Sequence, residues 1–467
     1  MNNLDFLSRT GYRLFILLTS AVAIFAVFMS VGFGDENYTL LPLMPLAYLA
    51  SVFIVSAVAW WRGPSIFLAV SIVVMFLRYV AFPFLVVVNG GYEGRSWSPP
   101  LSESYNTAIM LMVYELLVVS ILIFVLERKY WNKKSRALFV SEKKVLPVWF
   151  GAGLAAASIF LVVFFPQALL FVNFIYPKIV SEDYSVTSLA IFVAMLLMTS
   201  KVLLVVFFLK AISMRKNKSN LYAWLALLVC LVNISIFFGT NRIAVILTAV
   251  ATMIIFMRLY PRVSLIKASL VGVAVFGLFG LITSEREYVS KSDSHLVSMA
   301  DQIQGYTGGI YNVAIGAEVS VRYPEASKLE VLIYDFLRPT MGLNILVSDW
   351  DVKYSNIYFN DRMWVNVDRR SQIIPMISQG YLFLPFIFAP LLSCFFVFIG
   401  YYLMGFLSSV VFLEVHYFLL LCVMRIGFFW GQNSMNMMNY LSMNLLLPLI
   451  ILFLYKVLVG LGRRDYA

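Results

Sequence analysis

The stretch that decides the fold reads YRLFILLTSAVAIFAVFMSVGF over residues 12–33. Its length suits a helix crossing a hydrocarbon core about 30 Å thick, which takes roughly 20 apolar residues. No small-residue cleavage site follows it, so we expect this helix to stay in the protein and not to act as a signal peptide. The stretch predicts a membrane-spanning helix.

The composition extends this prediction to the whole chain. Of 467 residues, 61% are hydrophobic and 13% are charged, whereas soluble domains have about 45–50% and 25%. A soluble enzyme, a disordered protein and a nucleic-acid-binding protein are therefore excluded, despite the net charge of +11. Cys230, Cys394 and Cys422 lie in apolar runs without the spacing of a disulfide framework or a zinc site. We predict an all-α polytopic membrane protein.

Twelve apolar runs are long enough to be spans. They cover residues 12–33, 39–61, 65–88, 106–126, 147–171, 187–211, 221–238, 242–258, 264–283, 381–403, 406–429 and 440–458. Lysine and arginine clusters precede the first run and follow the second, fourth, sixth, eighth and twelfth runs, all on one side. The positive-inside rule then predicts that both termini are cytoplasmic.

Nearly 100 residues between the ninth and tenth runs contain no span. We expect residues 284–380 to form an extracytoplasmic loop domain, because structureless loops of that length are uncommon. The chain is then divided into residues 1–283 with spans one to nine, the loop domain, and residues 381–467 with spans ten to twelve. The loop has no counterpart in the first half, which disfavours a transporter built from two equivalent halves.

Several charged or ionisable residues interrupt the apolar runs. They are Arg78, Glu115, Lys201, Glu414, His416 and Arg425. Charges inside a membrane are costly and usually face a bundle interior or a water-filled cavity. Two interpretations stay open here, a functional site and a structural ion pair such as Arg425 with Glu115.

Further arginines are predicted at the extracytoplasmic side, against the positive-inside bias. Arg242 stands in a Gly-Thr-Asn-Arg turn that opens a helix, where backbone N–H groups and the helix dipole favour an anion. Arg338, Arg362, Arg369 and Arg370 lie in the large loop. Arginine binds phosphate oxygens in pairs and keeps its charge. The arginines predict a bound anionic group such as a lipid pyrophosphate, and the alternative for Arg242 is a lipid phosphate or a loop carboxylate.

The layout and two short motifs resemble the Wzy-type polymerases, which polymerise O-antigen and capsular oligosaccharide repeat units in bacteria. The motifs are the Gly-Thr-Asn-Arg turn and an arginine followed after ten residues by glycine, here Arg369 and Gly380. The resemblance implies a glycosyltransferase in the cytoplasmic (inner) membrane that transfers a growing glycan from undecaprenyl pyrophosphate to a newly flipped lipid-linked repeat unit. It implies as partners these lipid-linked oligosaccharides, membrane lipids, a chain-length regulator and a repeat-unit flippase, and no nucleic acid.

Pyrophosphate binding is predicted for Arg78, Arg242, Arg338, Arg362, Arg369 and Arg425. Guanidinium groups can stabilise a pyrophosphate leaving group, so neither a metal nor another cofactor is expected. Asp349-Trp350-Asp351 has the spelling of a metal motif but no accompanying hard-cation ligands, and we interpret it as a solvated turn.

A general base must also remove the proton of the acceptor hydroxyl. The candidates are His295, Asp301, Asp335 and Asp361, with Glu318 as a rival and His416 as a group more typical of a buried structural role. The sequence does not choose among these bases.

The stretch Gly305–Asn312 contains three glycines and is interpreted as a surface turn.

Two alternatives to a polymerase remain. An O-antigen ligase or another lipid-carrier glycosyltransferase would use similar arginines and a loop histidine. A polysaccharide transporter or flippase would need polar residues through both halves of the membrane, whereas the arginines here are predicted to lie toward one face.

Overall fold

The computed structural model describes residues 3–134, 144–175, 188–214, 220–239, 242–260, 272–273, 277, 294–364 and 372–464. The described residues are almost entirely helical. The helices are α1 Asn3–Val31, α2 Leu43–Arg62, α3 Ile66–Phe76, α4 Phe82–Val88, α5 Ser102–Lys134, α6 Val148–Phe164, α7 Ser188–Met214, α8 Asn220–Ser235, α9 Arg242–Leu259, α10 His295–Thr307, α11 Ile310–Arg322, α12 Leu329–Leu337, α13 Ser355–Met363, α14 Met376–Phe383, α15 Leu391–Ser409, α16 Leu413–Gly427, α17 Ser434–Leu441 and α18 Leu447–Arg464.

Seven segments of the described chain are long and apolar enough to cross a membrane. They are Arg9–Val31, Glu36–Arg62, Ile66–Val88, Ser102–Trp131, Leu189–Met214, Phe386–Leu407 and Ser434–Val457. Three further apolar helices are shorter, namely Val148–Phe164, Leu221–Ser235 and Ile243–Leu259. The prediction of a polytopic all-helical membrane protein is confirmed, with about seven candidate spans in place of twelve.

The predicted runs differ from the observed helices where prolines and polar residues intervene. The run 381–403 is broken, because α14 ends at Phe383 and α15 begins only at Leu391. Pro385 and Pro390 lie between them, and proline lacks the N–H that a continuous helix needs. The run 406–429 is divided between the end of α15, which extends to Ser409, and the 15 residues of α16. The ninth run, 264–283, falls almost wholly outside the described residues.

The chain divides into two compact units. The first contains residues 1–138, 290–408 and 422–442, so the described part of 284–380 lies in the same unit as helices α1 to α5. No separate loop domain is evident in that described part. The reason is that α11 buries Ile310, Tyr311 and Val313 while packing against α5 and α14, so its apolar residues complete a shared core.

Close packing in the first unit depends on small residues. A side chain at Gly316 on α11 would overlap Ser378 on α14, and one at Gly380 would overlap the carbonyl oxygen of Ala389. Gly380 is therefore required where α14 meets the turn that leads into α15, because only a residue without Cβ permits this approach.

The second unit contains residues 139–289, 409–421 and 443–467. Its helices α6 to α9 pack in sequence order. Val172–Phe174 (β1) pairs antiparallel with Ile236–Phe238 (β2), and Asn173 lies opposite Phe237. This short pairing leaves the all-α class unchanged. Pro166 follows the end of α6 and begins a 3₁₀ turn, Pro166–Leu170, that precedes the first strand.

Candidate functional site

Arg78 is fully buried in the first unit and lies in one π-helical turn, Leu77–Ala81, between α3 and α4. Such turns are rare and frequently occur at functional sites. Its Nη1 donates to Glu115 Oε2 on α5 at 3.0 Å, and Ser393 Oγ on α15 donates to the other oxygen of Glu115 at 2.5 Å. The Arg78 guanidinium also lies 5.6 Å from the ring of Trp430.

Arg425 is the second buried arginine and lies in the last turn of α16. Its Nη2 donates to Gln432 Oε1 at 2.6 Å, and its guanidinium lies 5.3 Å from the ring of Tyr440. The suggested pair of Arg425 with Glu115 does not form, because Arg78 holds that carboxylate. Among the described residues, Arg425 has no carboxylate within ion-pair distance.

Five N–H donors in this region have no hydrogen-bond acceptor among the described residues. They are Nε and Nη2 of Arg78, Nε and Nη1 of Arg425, and Nε1 of Trp430. Buried polar groups are hydrogen-bonded in the great majority of cases, so each such donor needs an explanation. Among the described residues, these two guanidinium groups have a single carboxylate partner, Glu115, which pairs with Arg78. We call Arg78, Arg425, Trp430 and Gln432 the arginine site, and its chemistry suits an anion with several oxygens.

A buried segment that is not α-helical carries two members of the arginine site, with Trp430 in a short 3₁₀ turn, Phe429–Gly431. Residues Phe428–Asn433 connect α16 to α17, and Gly431–Ser434 are all buried. Non-helical backbone inside a membrane protein is tolerated where protein surrounds it or where it lines a cavity. We missed Trp430 and Gln432 because the predicted spans stop at residue 429 and resume at 440. The signal was the polar sequence Gln432-Asn433-Ser434 between two apolar runs.

The junction of α10 and α11 packs against this segment. A side chain at Gly431 would overlap the carbonyl oxygen of Tyr306, and Gly308 adopts a left-handed φ of 62° next to Gly431. The turn predicted at Gly305–Asn312 is limited to Gly308 and Gly309, because residues 305–307 end α10 and residues 310–312 begin α11. Its predicted placement at the surface is wrong. Thr307 and Ile310 are buried, since the glycines allow two backbones to meet there.

A small polar cavity lies next to this junction. Its lining includes Tyr92, Arg95, Asp301, Gln304 and Asn312, and its water-accessible volume is about 10 Å³, enough for one water-sized group. Arg95 Nη2 is 2.9 Å from Asp301 Oδ2, and the Tyr92 hydroxyl donates to Asp301 Oδ1 at 2.5 Å. Burial, and then the charge of Asp301, holds the pKa of Tyr92 well above its ordinary value.

Two amides of this cavity are buried without partners in the described part of the chain. Both polar atoms of Gln304 and the Nδ2 of Asn312 lack hydrogen bonds, although each side chain is only 2% exposed. An amide offers both donors and an acceptor, which matches a hydroxyl group. The cavity therefore presents unused hydrogen-bonding capacity around the Asp301 carboxylate.

Asp335 on α12 belongs to a second, fully bonded polar network. Its carboxylate accepts from Ser355 N at 3.1 Å, from Ser355 Oγ at 2.5 Å and from Gln379 Nε2 at 2.6 Å. Burial outweighs these bonds and raises the pKa of Asp335 to about 6. Gln379 also binds the backbone and the side chain of Ser434, so the network joins α12, α13 and α14 to the start of α17.

Other predicted arginines are placed differently. Arg362 on α13 binds Glu318 Oε2 through Nη2 at 2.5 Å and through Nε at 2.9 Å, and it reaches Ser98 Oγ at 3.1 Å.

Arg338 is half-buried directly after α12. Arg242 is the first residue of α9, and only its backbone is described. Arg369 and Arg370 lie outside the described residues.

The remaining candidate bases are more open. His295 is exposed at the start of α10, and Asp361 is half-buried on α13. Asp349 and Asp351 are exposed, which confirms the solvated turn predicted for that stretch.

In the second unit, His416 is buried and bonds through Nε2 to Arg258. Lys201 Nζ donates to the carbonyl oxygens of Asn233 and Ile236 at 3.0 Å and 2.7 Å, at the end of α8. Lys201 lies in the middle of α7, and its ammonium group caps carbonyls at the C-terminal end of α8, as basic side chains near a helix C-terminus commonly do. These contacts agree with structural roles for both residues.

Comparison with protein-family models, with curated proteins and with solved structures finds no match for this chain.

Proposed function

We propose that this protein is a glycosyltransferase that polymerises oligosaccharide repeat units carried on a lipid pyrophosphate, in the manner of the Wzy-type polymerases. The observation that carries the proposal is the arginine site, where five buried N–H donors lack acceptors in the described chain. A lipid pyrophosphate supplies several anionic oxygens to a membrane-embedded protein. Its negative charge complements the arginines, and its oxygens can accept hydrogen bonds from the unpartnered N–H groups of this site.

The proposed reaction needs the arginine site most in its transition state. The acceptor oxygen forms a bond to the anomeric carbon of the growing glycan, while the bond from that carbon to the pyrophosphate oxygen breaks. Negative charge then gathers on the departing lipid pyrophosphate. Fixed guanidinium groups at that position stabilise the transition state more than the ground state, because the pyrophosphate oxygen bonded to the anomeric carbon gains negative charge only as that bond breaks.

The polar cavity supplies the acceptor side of the reaction. Its water-sized volume suits one hydroxyl group, and the unpartnered amides of Gln304 and Asn312 can orient it. Asp301 is then the general base that receives the hydroxyl proton. Because Tyr306 and Gly308 contact Gly431, the segment that carries Trp430 lies directly against the junction that borders this cavity.

The geometry favours Asp301 over the other candidate bases. Asp335 already accepts three hydrogen bonds from Ser355 and Gln379, and we assign it a positioning role. His295 and Asp361 do not line the cavity. Asp301 combines burial with unused hydrogen-bonding groups around it.

The proposal places the protein in the bacterial inner membrane, with several spans and cytoplasmic termini. Residues 294–364 and 372–380 then lie toward the extracytoplasmic face, where flipped lipid-linked repeat units arrive. The seven long candidate spans and three shorter apolar helices of the described chain support the multi-pass character of the protein. Its partners are undecaprenyl-pyrophosphate-linked oligosaccharides, with a repeat-unit flippase and a chain-length regulator acting on the same glycan.

Deletion of the gene tests the proposal through the glycan that remains. Loss of a polymerase leaves single repeat units attached to their final acceptor, while long chains disappear from a gel of surface glycan. Long chains retained on the lipid carrier would show a ligase instead, and single units retained at the cytoplasmic face would show a flippase. Unchanged surface glycan would contradict all three assignments.

A further inference from the structure

A groove in the first unit lies between α2 and α5, at the basic ends of both helices. It encloses about 520 Å³ and is lined by Ala57, Val58, Trp61, Arg62, Phe124 and Arg128. That volume falls in the range of small-molecule sites, roughly 300–1,000 Å³. The groove is separate from the arginine site, because Arg128 lies 13 residues beyond Glu115 on α5, or about 20 Å along the helix.

The walls of the groove change from apolar to cationic along the helix axes. Ala57, Val58 and Phe124 line the part nearer the middle of the spans, whereas Arg62 and Arg128 lie near the ends of the candidate spans that finish at Arg62 and Trp131. An anionic lipid matches this arrangement, because its acyl chains lie toward the middle of the membrane and its charged head group lies at the surface. Basic pockets between helices at a membrane surface bind anionic lipid head groups.

Nearby contacts strengthen the cationic character. Arg13 on α1 donates from Nε to the carbonyl oxygen of Trp60 at 3.0 Å, and its guanidinium lies 5.7 Å from the ring of Trp61. Trp61 is 71% exposed, as expected for an indole at the level of lipid head groups. A third arginine is thus held beside the groove.

The neighbouring carboxylate is directed away from the groove. Glu127 is fully buried and accepts hydrogen bonds from Ser65, Trp131 and Tyr401. Arg128 is exposed and has no carboxylate within ion-pair distance among the residues described. The positive charge of Arg128 is therefore available to a ligand.

We propose that this groove binds one anionic phospholipid. Its phosphate contacts Arg62 and Arg128, and its acyl chain lies along Val58 and Phe124. The lipid is neither substrate nor product of the proposed polymerisation, so the tests of this site and of that function are independent of each other. Arginine suits the task because its planar fork pairs with two phosphate oxygens.

Native mass spectrometry of the full-length protein tests this site, with phosphatidylglycerol and phosphatidylcholine titrated into delipidated protein. We expect one retained phosphatidylglycerol and at least a tenfold preference over phosphatidylcholine. The double variant Arg62→Gln, Arg128→Gln should reduce that preference to about twofold or less. Lys129→Gln is the matched control, because Lys129 is exposed on the same turn but does not line the groove, and it should keep the preference.

Fluorescence quenching by brominated phosphatidylglycerol locates the bound lipid. Quenching should fall in Trp61→Phe and should persist when inorganic phosphate is added, since a free phosphate lacks the acyl chain. The proposal is overturned if both lipids bind equally to the wild-type protein, if Lys129→Gln loses the preference as the double variant does, or if phosphate alone displaces the lipid. Thermal melting of each variant shows whether it is folded.

Discussion

Replacement of Arg425 should change the stability and the activity of the protein in opposite directions. Arg425 is buried, bonded to Gln432, and without a carboxylate partner in the described chain. Burying an unpaired charge costs free energy, so Arg425→Met should raise the melting temperature of the purified protein. The same variant should lower polymerisation tenfold or more, since one charge-assisted hydrogen bond contributes about 1.5–3 kcal/mol.

Scanning fluorimetry and a glycan ladder assay measure the two effects on the same preparation. Glu115→Gln is the control, because removing one partner of the buried pair with Arg78 should lower stability by about 3–5 kcal/mol. If Arg425→Met lowers the melting temperature and keeps full activity, Arg425 is a structural residue.

Asp335 should give the fold a pH dependence of identifiable sign. Its pKa is about 6 in the folded protein against an ordinary value of 3.8, so the folded state holds the proton more tightly. The stabilisation from this proton is complete below pH 4 and is lost as the pH rises through 6. A shift of about two units corresponds to roughly 3 kcal/mol.

Thermal unfolding of the wild type and of Asp335→Asn between pH 4 and pH 7.5 isolates this contribution from that of other carboxylates. The wild type should lose stability relative to the variant as the pH rises over that interval. A difference between the two proteins that stays constant with pH would show that Asp335 does not titrate there.

The sequence identified the important charges but not their partners. Arg78, Glu115 and Arg425 were recognisable because a charge inside an apolar run is costly and rarely neutral in its consequences. Which arginine pairs with Glu115 depends on which helices are neighbours, and no local pattern contains that information. Trp430 and Gln432 were missed because a polar segment between two spans is typical of an exposed loop, whereas here it is buried.

At the scale of elements, glycines determine how closely the helices approach. Gly431→Ala and Gly380→Ala should each destabilise the protein by about 1–3 kcal/mol, because the new methyl group overlaps a backbone carbonyl that has little room to move. In Gly405→Ala on α15, the added carbon has no atom of the described residues within 4 Å, and the variant should be neutral or slightly stabilising.

Melting temperatures of the three variants in one detergent give the comparison. Equal melting temperatures for Gly431→Ala and Gly405→Ala would contradict the close contact between Gly431 and the α10–α11 junction.

Helix existence was more predictable than helix boundaries. Helix α12 ends at Leu337, two residues before Pro339, and a proline shortly after a helix end is a stop signal that a sequence shows directly. The span predicted at 381–403 had the wrong start, because hydrophobicity alone does not register the helix interruption at Pro385 and Pro390. The π-helical turn at Arg78 has no sequence signature, because it depends on packing against neighbouring helices.

At the scale of the whole molecule, the orientation in the membrane remains a prediction. Ser327→Cys and Lys129→Cys place thiols at two exposed positions that the positive-inside rule assigns to opposite sides. In intact cells, a membrane-impermeant maleimide should label position 327 and should leave position 129 unlabelled until the cells are lysed. Wild-type protein is the control for the native cysteines, of which Cys230 and Cys422 are buried.

Labelling at position 129 without labelling at position 327 would reverse the orientation. It would also place the proposed acceptor cavity on the side where lipid-linked repeat units are assembled, and polymerisation after flipping could not occur there.

The most direct test of the central proposal uses purified protein and lipid-pyrophosphate-linked repeat units as the only substrate. We predict a ladder of glycans on the lipid, formed without nucleotide sugar and unaffected by a metal chelator, because arginines stabilise the leaving group. Arg425→Met and Asp301→Asn should each lower the rate of ladder formation at least tenfold while the protein remains folded. The absence of any ladder from active wild-type preparations, or a ladder that both variants form at the wild-type rate, would contradict the account.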